Sequence, residues 1–520
     1  MDTAAATVNN TRIAKNTLVL YLRMIFLMVV SLYTSRVVLA ALGVEDYGTY
    51  NVVGGVVAMF SFVINTMSAA ISRYIANGLG LGDAARLRRV FATSLNIQIG
   101  LGIVVVALVE TLGLWFLNTG MRIPPDRMQA ARIVLHISAL TAFINFLVVP
   151  YNAAIIAHER MTAFAYVSIL EALGKLAVAF LITSAPIDRL IFYAAMLAVV
   201  GALVQLVYWA YCRRAFDECA YHFIFDRGLL KEMTSFAGWN FLGTTAYLFN
   251  TQGVNMLMNV FFGVTVNAAR GVAVQVDGAV KQMVNNFTTA INPQIMKSYA
   301  RGDMPYMHSL ICRSSKFSAL LTFAFAIPLV IEAQNLLDLW LVNPPELTAV
   351  FLQLALVGTL LDNALGNSLF AAALATGRTK RYQIIVSLVS SLVFILTGVA
   401  YWQGMPPHAA YVIFAVVYAA LLLVRLSLIS SMVGISKAGY LRAVLGRSLP
   451  VLALASLPPL AVHCAMAPGF LRLVCVCAVS VPVTCALSYA IGLTPGERGF
   501  VREKAAKILH RGKKNRDPNG

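Results

Sequence analysis

Between residues 16 and 493 the chain runs through about fourteen apolar stretches, each close to the roughly 20 residues that a helix needs to cross a hydrocarbon core. Inside a bilayer the backbone N–H and C=O groups have no water to bond, so stretches of this length must pair those groups within themselves as helices. The predicted fold class is an all-α polytopic membrane protein. Spans are expected near residues 16–42, 47–78, 90–117, 128–157, 161–184, 190–212, 232–261, 264–300, 311–337, 348–376, 382–403, 408–433, 446–467 and 471–493. The first stretch is longer than a signal-peptide core and lacks a small-residue cleavage site, which makes it a retained span.

The cations fall on alternate loops. With residues 1–15 placed in the cytoplasm, the inner segments hold 29 of the 40 Lys and Arg, and only Arg122, Arg127, Arg132, Arg189 and Arg472 lie outside. This positive-inside bias predicts that both termini are cytoplasmic and that the number of crossings is even. It also accounts for most of the net charge of +18 without a nucleic-acid partner, because the bases are spread over many short loops instead of one face. The basic tail, 494–520, interleaves its cations with Phe500, Val501, Ala505, Ile508 and Leu509, a pattern that fits an amphipathic helix on an anionic leaflet and fits a solvated end equally well. The seven cysteines lie mostly in or beside spans with no CxxC spacing, and read as small apolar fillers.

Laid on itself at an offset of 220, the chain shows ten identities in 41 positions without a gap. Gly43-Val44 meets Gly263-Val264, Asn65 meets Asn285, and Gly82-Asp83 meets Gly302-Asp303, with Val52, Val56, Ala70, Ile71 and Ile75 matching between them. The repeat divides the protein into an N-lobe of six spans, 16–212, a cytoplasmic inter-lobe loop, 213–231, and a C-lobe of six spans, 232–433. The extra helix pair, 446–493, stands outside it. Six is even, so both lobes are expected in the same orientation, related by an axis along the membrane normal, with substrate bound at their interface.

Function must be read from the polar groups left within the spans. Six cations lie there: Arg23, Arg36, Arg73, Lys175, Arg270 and Lys281. Each costs about 2.5–3.5 kcal/mol at mid-membrane, so such residues face a cavity, pair with an acid, or snorkel. Arg36, Arg73 and Arg270 are near enough to span ends for snorkelling. Lys175 follows Glu171 by four residues and Lys281 follows Asp277 by four, the favourable order for a helical ion pair. Arg23 has no acid three or four residues away. At the repeat offset Arg23, Arg73, Arg270 and Lys281 meet Gly243, Pro293, Tyr50 and Ser61, so the scaffold recurs while its charges do not. That asymmetry suits one anionic ligand between two similar lobes, and Arg23, Arg270 and Lys281, with Arg36 and Arg73, are the candidate cations. Asp277 is a candidate for coupling to an ion.

The seventh and eighth spans are also rich in amides. Asn250, Asn255, Asn259 and Asn285 are the candidates for sugar contacts, because an amide both donates to and accepts from hydroxyls, although amides equally glue helices together. Glu110, Glu332 and Asp362 are further acids within apolar surroundings, open to pairing, ion binding or a place at the membrane edge. No nucleophile elbow, HExxH or phosphate-cradling glycine loop is present, so no catalytic residue, metal or cofactor is expected.

The run from Asn16 to Asp83, especially SLYTSRVVLAALGVEDYGTYNVVGGVVAMFSF, resembles bacterial Wzx-like polysaccharide-unit flippases of the multidrug/oligosaccharidyl-lipid/polysaccharide exporter superfamily. So do NPQIMKSYARGD from Asn292, SSKFS at 314–318 and ATGRTKRYQI at 375–384, in the same order. The resemblance spans about residues 10–435. It implies a cavity lined by the first, second, seventh and eighth spans, and a polyprenyl-pyrophosphate-linked oligosaccharide moved to the outer leaflet of the bacterial inner membrane. O-antigen, capsule or exopolysaccharide synthesis would be its setting, with glycan polymerase or chain-length machinery as candidate partners. A lipid II flippase, a multidrug or cation antiporter of the same superfamily and, from another class, a membrane glycan polymerase or acyltransferase are the alternatives. The cation excess and extra helix pair argue against the antiporter, the repeat and short outer loops against the enzyme.

Overall fold

Glycine sets the frame. In the computed structural model Gly43 has φ 79° and ψ 173°, and its repeat partner Gly263 has φ 81° and ψ −174°, a region that side-chain-bearing residues scarcely enter. Each glycine breaks a helix at the same point of its repeat. The carbonyl two residues earlier is in both cases taken by an arginine: Arg189 Nη1 donates to the Ala41 carbonyl at 3.1 Å and Arg122 Nη1 to the Phe261 carbonyl at 2.8 Å. Carbonyls at a helix end lack intrahelical partners, and a guanidinium satisfies them. The second matching pair behaves alike. Gly82 and Gly302 are left-handed, at φ 66° and 73°, and the next residue caps the following helix, Asp83 accepting from Arg86 N at 2.9 Å and Asp303 from Tyr306 N at 3.1 Å.

The structure describes the backbone of residues 2–499 apart from 61–63, 65–66, 69–70, 73, 76–78, 80–81, 159, 221–225 and 232–247, and side chains from residue 24 with a few further exceptions inside helices. The described residues contain helices and no strand. In chain order the helices used below are α1 (Asp2–Ala58), α2 (Ala84–Leu108), α3 (Met128–Ala157), α4 (Met161–Leu181), α5 (Arg189–Ala215), α6 (Val254–Phe262) and α7 (Val264–Ala300). They continue with α8 (Met304–Ile331), α9 (Ala333–Trp340), α10 (Thr348–Thr359), α11 (Asn367–Ala375), α12 (Thr379–Trp402), α13 (Ala409–Val433), α14 (Lys437–Ala465) and α15 (Phe470–Leu487). Eleven helices among the described residues are long and apolar enough to cross a membrane. Three expected spans are not separate members of that set: 47–78 begins within α1 beyond Gly43, 232–261 is described only from residue 248, and α7 is long enough but too polar. The chain is an all-α, multi-pass membrane protein.

Two compact units form. The first comprises Met1–Gln275, Leu341–Thr348 and Ser387–Ala410. One of its cores packs Phe91, Tyr151, Tyr208 and Cys212 from α2, α3 and α5, the ring of Phe91 edge-on to Tyr151 at 5.3 Å. The other gathers Val52, Val53, Val134, Leu135 and Leu190 from α1, α3 and α5. Where α1 meets α7 the backbones nearly touch, and a Cβ on Gly48 would stand 2.0 Å from the Val264 carbonyl oxygen. Outward, Ile103, Leu112, Trp115, Leu203 and Leu206 are exposed, as a lipid-facing surface requires.

The second unit comprises Val276–Trp340, Ala349–Val386 and Tyr411–Gly520. Its core holds Phe323, Leu369, Leu426 and Tyr440, and the buried Tyr440 hydroxyl bonds Ser315 Oγ at 2.8 Å and the Leu365 carbonyl at 3.2 Å. The extra helix pair, which sequence left without a role, packs on α8 and is fixed to it at both ends. At one end the buried Glu332 carboxylate lies 2.6 Å from His463 Nδ1 and accepts from Asn335 Nδ2 at 2.6 Å and Arg472 Nε at 3.1 Å. At the other, buried Lys316 meets Glu497 at 2.5 Å, and Glu497 also accepts from Thr494 N at 2.7 Å in a capping box. The tail beyond residue 499 lies outside the described residues.

Candidate functional site

Helix α7 carries the polar groups singled out from sequence. Arg270 lies on the part of α7 in the first unit, and Asp277, Lys281 and Asn285 on the part in the second, where spacings of four and four place them within about 80° of one another over about 12 Å of one helix face. The remainder of α7 is apolar enough for burial: Ala268, Ala269, Val272, Ala273 and Val284 are wholly covered. A helix built this way buries its apolar face and cannot present its charged residues to lipid without cost.

In the first unit, half-buried Arg270 donates from Nη2 to the Thr251 carbonyl at 2.8 Å. That carbonyl belongs to a π-helical turn, Phe249–Gly253, and also takes the Val254 N–H. The same turn holds Asn250, 4% exposed, whose side-chain oxygen and nitrogen have no hydrogen-bond partner among the described residues. Asn255 and Asn259 are placed differently. Asn255 Oδ1 accepts from the buried Asn267 Nδ2 at 3.0 Å, and Gly55 lies so close that a Cβ there would be 3.0 Å from Asn255 Nδ2. Asn259 is wholly buried, accepts from Arg122 N at 3.0 Å and so holds the turn whose arginine caps α6. Farther along, Gln275 bridges α7 to α1 by donating to the Ser31 carbonyl at 2.8 Å and accepting from Ser35 Oγ. Arg36, the next residue, is exposed. Arg23 and Arg73 lie outside the described side chains.

In the second unit Lys281 Nζ lies 2.6 Å from Asp277, whose side chain is 4% exposed against 37% for the lysine. Asp277 is held from its other side by the Thr359 hydroxyl, at the end of α10. Lys281 therefore presents a cation whose charge is partly offset by a fixed acid. Asn285 accepts from Asn367 Nδ2 at 3.3 Å, and the same nitrogen donates to Thr288 Oγ1 at 2.8 Å.

The other acids singled out within apolar surroundings are paired. Glu110 lies 2.6 Å from His136, and Glu171 forms its expected helical pair with Lys175 at 2.6 Å on an exposed face. Asp362 meets Arg425 at 3.0 Å. Arg425 lies inside α13, and Gly366 leaves the room for it, since a Cβ there would fall 2.0 Å from the guanidinium.

A further cluster lies where α1 breaks. Arg127 donates to Asp46 through Nε and Nη2, each at 2.6 Å, and to Asp188 through Nη1 at 2.6 Å. Burial would raise the Asp188 carboxyl, but the Arg127 hydrogen bonds, the backbone donors Ile191 and Leu190 and the arginine charge together hold it below its ordinary value. Hydrogen bonding to Asp188 and Asp46 correspondingly raises Arg127. No local pattern signals this triad, because its members are 61 and 81 residues apart; nor does any mark Thr359 as the partner of Asp277.

No curated protein matches the chain in sequence. Among solved structures the fold is similar to that of lipid II flippase MurJ in an inward closed conformation, with a TM-score of 0.70 at 13% identity over 90% of this chain and 98% of that one. It is also similar to a multidrug resistance MATE family transporter of the MOP superfamily, inward-facing (TM-score 0.61, 14% identity, 78% of this chain and 95% of the other) and outward-facing (0.53, 15%, 81% and 96%). The model of the polysaccharide biosynthesis protein family matches residues 13–299, more than half of the sequence. With the Wzx-like motifs, the recurring glycine breaks and this match in agreement, the chain belongs to the polysaccharide biosynthesis protein family, on the fold of the multidrug/oligosaccharidyl-lipid/polysaccharide exporters.

Proposed function

We propose that the protein moves a polyprenyl-pyrophosphate-linked oligosaccharide from the cytoplasmic to the outer leaflet of a bacterial inner membrane, with both termini cytoplasmic. The observation that carries this reading is the stripe on α7. Arg270 and Lys281 both belong to a helix too polar to meet lipid, with Asn285 one turn beyond Lys281. Pyrophosphate is drawn to Arg270 and Lys281, with Arg23, Arg36 and Arg73 completing the cationic surface, and the prenyl tail stays in the bilayer. Sugar hydroxyls engage amides of the seventh and eighth spans: Asn250, whose polar atoms have no partner among the described residues, is better suited than Asn255 and Asn259, which neighbouring helices and turns already occupy, and Asn285 would add a contact beside its bond from Asn367. The lobes, residues 16–212 and 232–433, then rock between inward-open and outward-open states. A negative interior favours export of an anionic headgroup by about 2.3 kcal/mol per charge per 100 mV, provided the cations stay behind. Asp277 adjusts the charge of Lys281 and is the position at which a coupling ion would act.

The test is glycan export in a strain depleted of its own flippase. Arg270→Ala and Lys281→Ala, at normal protein levels, are expected to lose most export, while Asn118→Ala, at an exposed amide whose oxygen accepts from Arg132 Nε at 2.8 Å, retains it; normal export by both cationic variants would overturn the assignment. Complementation of a strain depleted of lipid II flippase decides between the two cargoes.

A further inference from the structure

Away from α7, three bases stand together on one turn. Arg378, Lys380 and Arg381 line a cavity of about 420 Å³ with Ile384 and Ile385, and no carboxylate is among the described residues that line it. The turn is built to hold them. Gly377 takes φ +69°, Arg378 N donates to Thr376 Oγ1 at 3.2 Å, and Thr376 Oγ1 donates to the Ala373 carbonyl at 2.8 Å. Tyr382, 2% exposed, anchors the first turn of α12 in the core of the second unit. The cations also occupy the N-terminal turn of α12, where the helix dipole adds positive potential, so an anion gains from both.

Along α12 the surface changes from charged to apolar on one side. Lys380 and Ile384 lie within about 40° of one another, Ile384 is 50% exposed, and Ile385 beside it completes the apolar side of the cavity. A ligand that satisfies both parts has a phosphate at one end and a hydrocarbon chain at the other. A soluble phosphate would leave the apolar side unused, and a nucleic acid would find it hostile.

We infer that the turn 376–381 with the first turns of α12 is a binding site for an anionic glycerophospholipid, its phosphate on Arg378, Lys380 and Arg381 and an acyl chain along Ile384 and Ile385. Basic clusters where helices enter the headgroup layer recognise such lipids electrostatically. The site is separate from the α7 stripe, and its occupant is a resident of the bilayer and not the exported cargo.

Native mass spectrometry of the full-length protein, released from detergent with equal amounts of phosphatidylglycerol and phosphatidylcholine, tests this. The wild type is expected to retain phosphatidylglycerol preferentially, and R378Q/K380Q/R381Q to lose that preference, roughly fivefold for each cation removed. Ile384→Asp keeps every cation, and hence the topology signal, yet sets an acid beside the cluster; it is expected to lose the preference too. R86Q/R88Q/R89Q removes as much positive charge elsewhere and should leave it intact. Retention of the preference by both altered-site variants, or its equal loss in the 86/88/89 variant, would mean that these bases serve topology alone. Displacement of phosphatidylglycerol by equimolar undecaprenyl phosphate, dependent on the same three bases, would give the site to the prenyl carrier and overturn the phospholipid assignment.

Discussion

Gly43 and Gly263, 220 residues apart, share one backbone conformation, at φ 79°, ψ 173° and φ 81°, ψ −174°. Each terminates a helix whose carbonyl two residues back receives an arginine. The conformation excludes a Cβ for steric reasons that do not depend on neighbours, and nothing lies within 4 Å of where the Gly43 Cβ would be. Gly43→Ala and Gly263→Ala are each expected to destabilise the protein by about 1–3 kcal/mol. Gly54→Ala is the control. It lies in the same helix with ordinary backbone angles and open space around it, and should be neutral or slightly stabilising. Thermal unfolding in detergent would show the contrast.

Arg127 separates two carboxylates that would otherwise face each other. Removal by Arg127→Gln leaves Asp46 and Asp188 without their shared donor, and the expected loss is about 1.5–3 kcal/mol, the range for a hydrogen bond to a charged group. Arg127→Lys should rescue little, because an ammonium cannot make the forked contact to Asp46 while reaching Asp188. The melting temperatures of the two variants, compared with wild type at pH 7, check both statements.

Glu332 fastens the C-terminal helix pair and has a pH signature. Burial alone would raise its carboxyl, but hydrogen bonds from His463 and Asn335 and the Arg472 charge and hydrogen bond outweigh it and hold the group below its ordinary 4.5. A carboxyl lower in the folded than in the unfolded state stabilises above the unfolded value, and that contribution is lost as pH falls through the folded one. Stability should therefore drop below about pH 4.5 more steeply in the wild type than in Glu332→Gln, which is already weaker at pH 7. Unfolding curves from pH 3 to 7 would reveal the difference in slope.

Asp277 and Lys281 resemble Glu171 and Lys175 in sequence, yet the structure gives them unlike settings. Asp277 is 4% exposed and also held by Thr359, whereas Glu171 and Lys175 are 40% and 51% exposed. Asp277→Asn is expected to alter the pH or sodium dependence of export at normal protein levels. The double variant Glu171→Gln/Lys175→Gln should leave export within about twofold of wild type, as for an exposed pair of small energy. Export assays across pH and sodium concentration separate the two.

What the sequence determined by itself were the features set by local chemistry. Apolar length fixed the spans, because an unpaired backbone is intolerable in lipid. The recurrence of Gly43-Val44 and Gly82-Asp83 marked two pairs of helix breaks and caps, because positive φ and side-chain capping are properties of single residues. The i, i+4 spacing announced the Glu171–Lys175 and Asp277–Lys281 pairs. Only the tertiary structure decided which amides are spent on packing, as with Asn259 on the Arg122 turn, and which remain without a partner among the described residues, as with Asn250. It alone joined Arg127 to Asp46 and Asp188, Asp277 to Thr359, and Glu332 to the helix pair that lies 131 to 140 residues beyond it. Composition constrains which groups a membrane interior must satisfy. Partners far apart along the chain are chosen by how the helices pack, and one sequence read in order carries no record of that choice.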